Sequence, residues 1–314
     1  MISTDTQVRG ALLGLVVGDA LGVPVEFMSR RHLHEHPVTD MRGYGTHHQP
    51  PGTWSDDSAL TFQLVETLIE GYDSKRLAER FVRWYVWNEW TPHGSVFDVG
   101  IATRSAIDRL EKGTDPEQAG ECDEYANGNG ALMRVLPLAF VLKTRPMQER
   151  YELVCRVASL THRHIRSKIA CFFYVELLIR LLKGDEKHEA FTHTQHRVRD
   201  YVNSLNIQPD ECELFTRLFY DDLAHVPETE IFSSGYVVHT LEASLWSFLT
   251  TNSYPEAVLR AVNLGDDSDT SGSVTGGLAG LTYGPEAIPA EWVAALARRD
   301  AIEDLIRRFA ASLA

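Results

Sequence analysis

The chain has 314 residues, 44% hydrophobic and 24% charged, enough to bury a sizeable core in one large domain or two small ones. Its 44 acidic against 30 basic residues leave a formal net charge of −14, which argues against a non-specific nucleic-acid or anionic-membrane binder, since either needs a basic face. An anionic substrate stays open, because bound divalent cations reverse the local sign.

Residues 11–17 are apolar, but no positive segment precedes them, Asp19 interrupts them and no cleavage site follows; they read as neither signal peptide nor membrane span. Gly10, Gly14, Gly18 and Gly22 recur every four residues and share one stripe of a helix. Each costs about 1 kcal/mol relative to alanine, so the stripe predicts a central helix closely approached by another backbone. Space for a ligand near Asp19 and Glu26 is the alternative. Residues 40–54, with three glycines and two prolines, form a loop running into Ser55. Residues 58–71 place Leu60, Leu64, Val65, Leu68 and Ile69 on one helical face, and 75–87 continue with Leu77, Phe81, Trp84 and Tyr85. A loop at 120–130 ends in Asn127-Gly128-Asn129-Gly130. Helical patterns follow at 147–160, 167–183, 239–250, 255–263 and 290–312, punctuated by Pro146, Gly184, Pro255 and Pro289. Residues 169–182 contain Glu176 and are too short to span a bilayer. Residues 183–232 are the least patterned and most charged, which suits peripheral helices and loops, a cap or an insertion. Alternating runs are nearly absent, Tyr236-Val237-Val238 being the best strand candidate. The class expected is all-α, as one domain over 1–314. Cys122, Cys155, Cys171 and Cys212 are irregularly spaced, which is neither a disulfide framework nor a zinc site, and reduced thiols fit the cytoplasm.

Two acidic clusters carry the chemistry. Ser55-Asp56-Asp57 precedes an amphipathic helix; one cap residue would suffice there, and two carboxylates plus a hydroxyl exceed the need. Gly265-Asp266-Asp267-Ser268-Asp269-Thr270 packs three carboxylates and two hydroxyls into five consecutive positions, after an apolar helix and before a small-residue segment at 271–284. Repulsion requires such a cluster to be solvated or neutralised, and hard oxygen ligands suit Mg²⁺, Mn²⁺ or Ca²⁺. An EF-hand fails, because Leu278 stands where its closing Glu belongs. The D-D-x-x-D pattern of isoprenoid synthases fails at Leu60 and Thr270. No G-x-S-x-G elbow, P-loop or dinucleotide fingerprint occurs.

The combination is specific. GALLGLVVGDALG from Gly10 to Gly22 with Glu26, GTWSDD from Gly52 to Asp57, Asp98-x-Gly100 with Thr103, GNGALMR from Gly128 to Arg134, Thr161-His162, Gly235-Tyr236-Val237 and GDDSDT from Gly265 to Thr270 succeed one another in order. Together they resemble the ADP-ribosylglycohydrolase family, in particular its bacterial branch related to dinitrogenase reductase-activating glycohydrolase. The resemblance implies an all-α fold with two divalent cations, Mg²⁺ or Mn²⁺. Ser55, Asp56 and Asp57 would ligate from one side; Asp267, Asp269 and Thr270 would do so from the other. Asp266 stands where many relatives have Gly and is expected behind the ligands. Glu26 and Asp98 are the acid–base candidates, Asp98 slightly ahead. Asn127, Gly128, Asn129 and Gly130 would offer N–H groups to the diphosphate ahead of an apolar helix; Met133, His162 and Tyr236 complete the substrate contacts. The implied reaction is hydrolysis of the glycosidic bond at C1 of the distal ribose, removing mono-ADP-ribose from modified protein arginine. Another ADP-ribose linkage (serine, nucleic acid or small metabolite), or an ADP-ribose-binding or immunity role without turnover, is the alternative. The expected setting is a cytoplasmic monomer acting on ADP-ribosylated protein, with no membrane partner and nucleic acid only as a modified substrate.

Overall fold

The glycine stripe sets the centre of the molecule. The computed structural model describes residues 3–313. In chain order its helices are α1 (Thr4–Gly22), α2 (Arg30–Glu35), α3 (Asp56–Ile69), α4 (Ser74–Trp87), α5 (Ile101–Glu111), α6 (Leu138–Leu142), α7 (Met147–Ser159), α8 (Ile165–Leu182), α9 (Lys187–Ser204), α10 (Pro209–Glu213), α11 (Thr216–Tyr220), α12 (Val237–Leu249), α13 (Tyr254–Asn263), α14 (Ser268–Tyr283), α15 (Ala290–Ala295) and α16 (Arg299–Ser312). The chain is all-α. Among the described residues there is no strand, only isolated bridges at Glu121–His162 and Gly128–Tyr236.

Helices α1 and α14 run antiparallel with their backbones in contact. A Cβ on Gly14 would overlap the Gly276 carbonyl, one on Gly18 the Gly272 carbonyl, and Gly10 meets Gly280 in the same way. Packing, rather than ligand space, therefore accounts for the stripe. Residues Thr4–Val25 are long and apolar enough to cross a membrane, yet 94% of their most apolar window is buried, the position of a core helix. Around the α1–α14 pair stand α3, α8, α12, α13 and α16. Their apolar faces close a core that includes Trp54, Phe62, Phe172, Tyr174 and Phe248.

The structure places one segment that the sequence leaves unassigned, and two local expectations need correction. The small-residue segment after Asp269 is a buried helix, α14, because facing glycines let it dock in spite of poor propensity. The pattern at 290–312 breaks into α15 and α16 at Arg298, which sits at φ 56°. Tyr236-Val237-Val238 opens α12 and is not a strand. Within 183–232, α9 packs on α8, α11 on α9, and the turn at Leu223–His225 on α12.

Candidate active site

The first turn of α3 is held from α1. Asp19 is fully buried, and its carboxylate accepts the Ser55 N–H at 2.9 and 3.0 Å, the Ser58 N–H at 3.1 Å and the Ser58 hydroxyl at 2.5 Å. Burial pushes Asp19 up to about 7. A side chain from another helix thus supports the start of α3, beside the Ser55 Oγ cap that accepts the Asp57 N–H at 3.3 Å. Ser55 Oγ donates to Asp57 Oδ2 at 3.2 Å.

The first turn of α14 meets it. Thr270 Oγ1 donates to Asp57 Oδ2 at 3.4 Å, joining the two clusters across 213 positions. Asp269 Oδ1 accepts the Thr270 N–H at 2.9 Å, and Asp267 Oδ2 accepts the Asn129 amide at 2.9 Å. Glu26 joins them: one ligand atom each from Glu26, Asp267 and Asp269 lies within 4.8 Å of the others. Its segment is stitched to α14 by backbone bonds, Phe27 N–H to Asp266 O at 2.6 Å and Asp266 N–H to Met28 O at 2.9 Å.

These carboxylates suit divalent cations. Asp57 Oδ1, Asp267 Oδ1 and Asp269 Oδ2 are buried with no hydrogen-bond partner among the described residues, a costly state for an anionic oxygen. Among the described residues no Lys or Arg forms an ion pair with them; His47 pairs with Glu26 and lies near Asp98. Burial first, then mutual repulsion, raises Asp56, Asp57 and Asp269 well above the usual carboxylate range and Glu26 to about 11. A set of hard oxygens that cannot all ionise alone is what a divalent cation neutralises.

The cleft above this centre has a volume of about 440 Å³. Glu26, Asp56, Asp98, Gly128, Asn129, Gly130, Met133, His162, Asp267 and Thr270 line it. Asn127 and Tyr236 do not. Asn127 is used internally, donating to Glu124 O at 2.8 Å. The glycine loop is splinted by Gly235-Tyr236-Val237, with Asn129 N–H to Gly235 O at 3.0 Å and Val237 N–H to Asn127 O at 2.9 Å. The Asn129 N–H is therefore committed to Gly235 and not offered to a phosphate. The loop runs into a 3₁₀ turn, Leu132–Arg134, and not into an apolar α-helix.

His162 enters the cleft with its Nδ1 hydrogen-bonded to Thr161. Arg134 can only donate, and its Nη2 donates to Thr161 Oγ1 at 2.7 Å. The Thr161 hydroxyl is then free to donate to His162 Nδ1, 2.8 Å away. When Thr161 donates, Nε2 carries the proton, facing Gly128 and Gly130. Burial, then Arg134, depresses His162 to about 3, so a neutral N–H donor persists through the physiological range. Thr161→Val should weaken ADP-ribose binding about tenfold, one hydrogen bond's worth, while Thr161→Ser retains it. Titration calorimetry checks this, with the folding cost of the lost Arg134 acceptor read from denaturant midpoints.

His47 carries no signal of its own in the sequence. It lies in the loop at 40–54, where no periodicity marks a functional residue. Its Nε2 makes a short hydrogen bond to Glu26 Oε2 and sits 3.9 Å from Asp98 Oδ1. Only its position just ahead of Ser55 could have drawn notice.

A model of the ADP-ribosylglycohydrolase family matches residues 2–314. The chain belongs to the ADP-ribosylglycohydrolase family. It is 33% identical over 95% of its length to "ADP-ribosylarginine hydrolase Tri1" of Serratia proteamaculans, covering 77% of that protein. It is 30% identical over 98% of its length to "ADP-ribosyl-[dinitrogen reductase] glycohydrolase" of Rhodospirillum rubrum, covering 95% of that one. A solved structure titled "ADP-ribosylglycohydrolase-related protein complex" superposes with a TM-score of 0.81 at 33% identity, covering 100% of both chains.

This ADP-ribosylglycohydrolase holds several non-glycine residues at positive φ around its cleft: Phe27 at 63°, His48 at 54°, Asp98 at 51° and Asp266 at 56°. The Asp266 side chain is exposed and does not back the ligands. Its backbone makes the structural contribution, in a left-handed conformation that glycine adopts without strain. Asp266→Gly should leave kcat/KM within about twofold and stability within about 1 kcal/mol, since relieved strain and added unfolded-state entropy offset each other. Asp266→Val should cost about 1–3 kcal/mol in chemical denaturation.

Proposed function

We propose that this ADP-ribosylglycohydrolase is a divalent-cation-dependent hydrolase that removes mono-ADP-ribose from arginine side chains of proteins. The observation that carries the cation requirement is the meeting of the α3 and α14 first turns, with three buried carboxylate oxygens left unpartnered. The arginine linkage is supported by the similarity to Tri1 and to the dinitrogen reductase glycohydrolase.

Ser55, Asp56, Asp57, Asp267, Asp269 and Thr270 would hold Mg²⁺ or Mn²⁺. When bound, such cations supply Lewis-acid charge at the floor of the cleft. The protein's own groups do the rest. The glycine loop and His162 Nε2–H hold the ADP-ribose at the wall. Negative charge from Glu26 and Asp98 stabilises the oxocarbenium character that develops at C1 of the distal ribose. Water attack at C1 releases a proton, and the departing guanidine takes one up, so the same two carboxyls serve both transfers. The unbridged thiols support a cytoplasmic setting, and we take the working unit to be one monomeric domain.

The test is incubation of the purified protein with defined arginine-, serine- and DNA-linked ADP-ribose, in Mg²⁺, Mn²⁺ or chelator. Release from arginine only with a cation present is expected. Release from serine or DNA alone would overturn the linkage, and full activity in chelator would overturn the cation requirement.

A further inference from the structure

We propose that His47 is a positioning residue for this hydrolysis, tying Glu26 and Asp98 into one proton-handling pair from a loop to which neither belongs. The inference rests on the reading of those two carboxyls as the acid–base groups.

Three observations converge on it. The imidazole Nε2 faces both carboxylates, hydrogen-bonded to Glu26 Oε2 and 3.9 Å from Asp98 Oδ1. Its ring is wedged between Phe97, with centroids 5.4 Å apart, and Phe27, at 6.1 Å. These two aromatics are the chain neighbours of Asp98 and Glu26, so packing and hydrogen bonding fix the same pair. The loop itself grips the Glu26 segment: Thr46 N–H donates to Pro24 O at 3.0 Å, and Thr46 Oγ1 donates to Glu26 O at 2.7 Å.

The carboxyls need such a tie. Glu26 and Asp98 are 5% and 19% exposed and have no Lys or Arg partner among the described residues. A glutamate side chain has three free torsions and loses much rotamer entropy when fixed. One Nε2–H serves one carboxylate at a time, and a small ring movement transfers it from Glu26 to Asp98. The pair then shares a single donor as its charges exchange between the attack and departure steps.

The test uses the full-length protein and two variants. His47→Ala is expected to lower kcat by about 10–100-fold, the range for losing a partner that orients a working group. KM should stay within about threefold, because His47 does not itself line the cleft. His47→Gln, which keeps an N–H donor, should recover most of the loss, and added imidazole should raise His47→Ala. Cation stoichiometry by calorimetry should not change. A readout free of turnover is the ¹⁵N resonance of His47 Nε2 in cation-free protein, which Glu26→Gln should shift. A His47→Ala variant retaining more than half of kcat would overturn the proposal. So would equal losses in folded His47→Ala and His47→Gln, a lost cation site in His47→Ala, or a resonance unmoved by Glu26→Gln. Wild-type protein inactive on every linkage would instead overturn the functional reading.

Discussion

Asp269→Asn should lower kcat/KM on the order of 10³-fold, the scale of losing a preorganised charge at a reacting centre, while the cation-free protein becomes no less stable. The substitution keeps the shape and leaves an oxygen to accept the Thr270 N–H at 2.9 Å. It removes the charge, and it places an amide where Oδ2 is buried without a partner. A purely structural Asp269 would lose stability and little activity; a charge-bearing one does the reverse. Cation affinity by calorimetry and chemical denaturation in chelator separate the two. The pH dependence has a definite sign. Asp56, Asp57 and Asp269 hold their protons to higher pH in the fold than the usual carboxylate range, because burial penalises their charged forms. The folded chain therefore binds more protons than the unfolded one, and cation-free stability should fall as pH rises above about 4. Mg²⁺ or Mn²⁺ should restore it, by about 2.7 kcal/mol at a hundred times the dissociation constant. Asp269→Asn should flatten the fall.

Gly18→Ala should destabilise the protein by about 1–3 kcal/mol or more, against the trend of helix propensity. Propensity alone would add about 1 kcal/mol. At Gly18, however, the new Cβ would overlap the backbone carbonyl of Gly272, with the Ser273 nitrogen 3.1 Å away. Backbone atoms cannot rotate aside as a side chain can, so the two helices must separate. Their separation also moves Asp19 relative to Ser55 and Ser58, so kcat/KM should fall with the denaturant midpoint. A variant more stable than the wild type would refute the close contact.

What could be read from the sequence tracked the strength of the local signal. Dense acidic runs stand out in any composition, so both clusters were legible, and the ordered motifs carried the family. Amphipathic α3, α4, α7 and α13 announce themselves by periodicity. Helix α14 does not, because its glycines argue against a helix until the facing stripe of α1 is known. His47 and the support that Asp19 gives α3 were hidden for a related reason: each acts on a segment distant in the chain. The splinting of the glycine loop by Gly235 and Val237, on either side of Tyr236, was likewise hidden, because it joins segments distant in the chain. Phe27, His48, Asp98 and Asp266 carry strain that residue type alone does not reveal.

The α1–α14 pairing also sets when the protein can work. Asp57 and Thr270 are 213 positions apart, a gap of roughly 10–40 s at ribosomal speeds of about 5–20 residues per second. During that interval the nascent chain carries a glycine-lined apolar helix with no partner and half an acidic centre. Its apolar surface is uncovered and no cleft has formed. Hydrolysis is thereby deferred until α14 has been synthesised, and a chain truncated before α14 should be inactive.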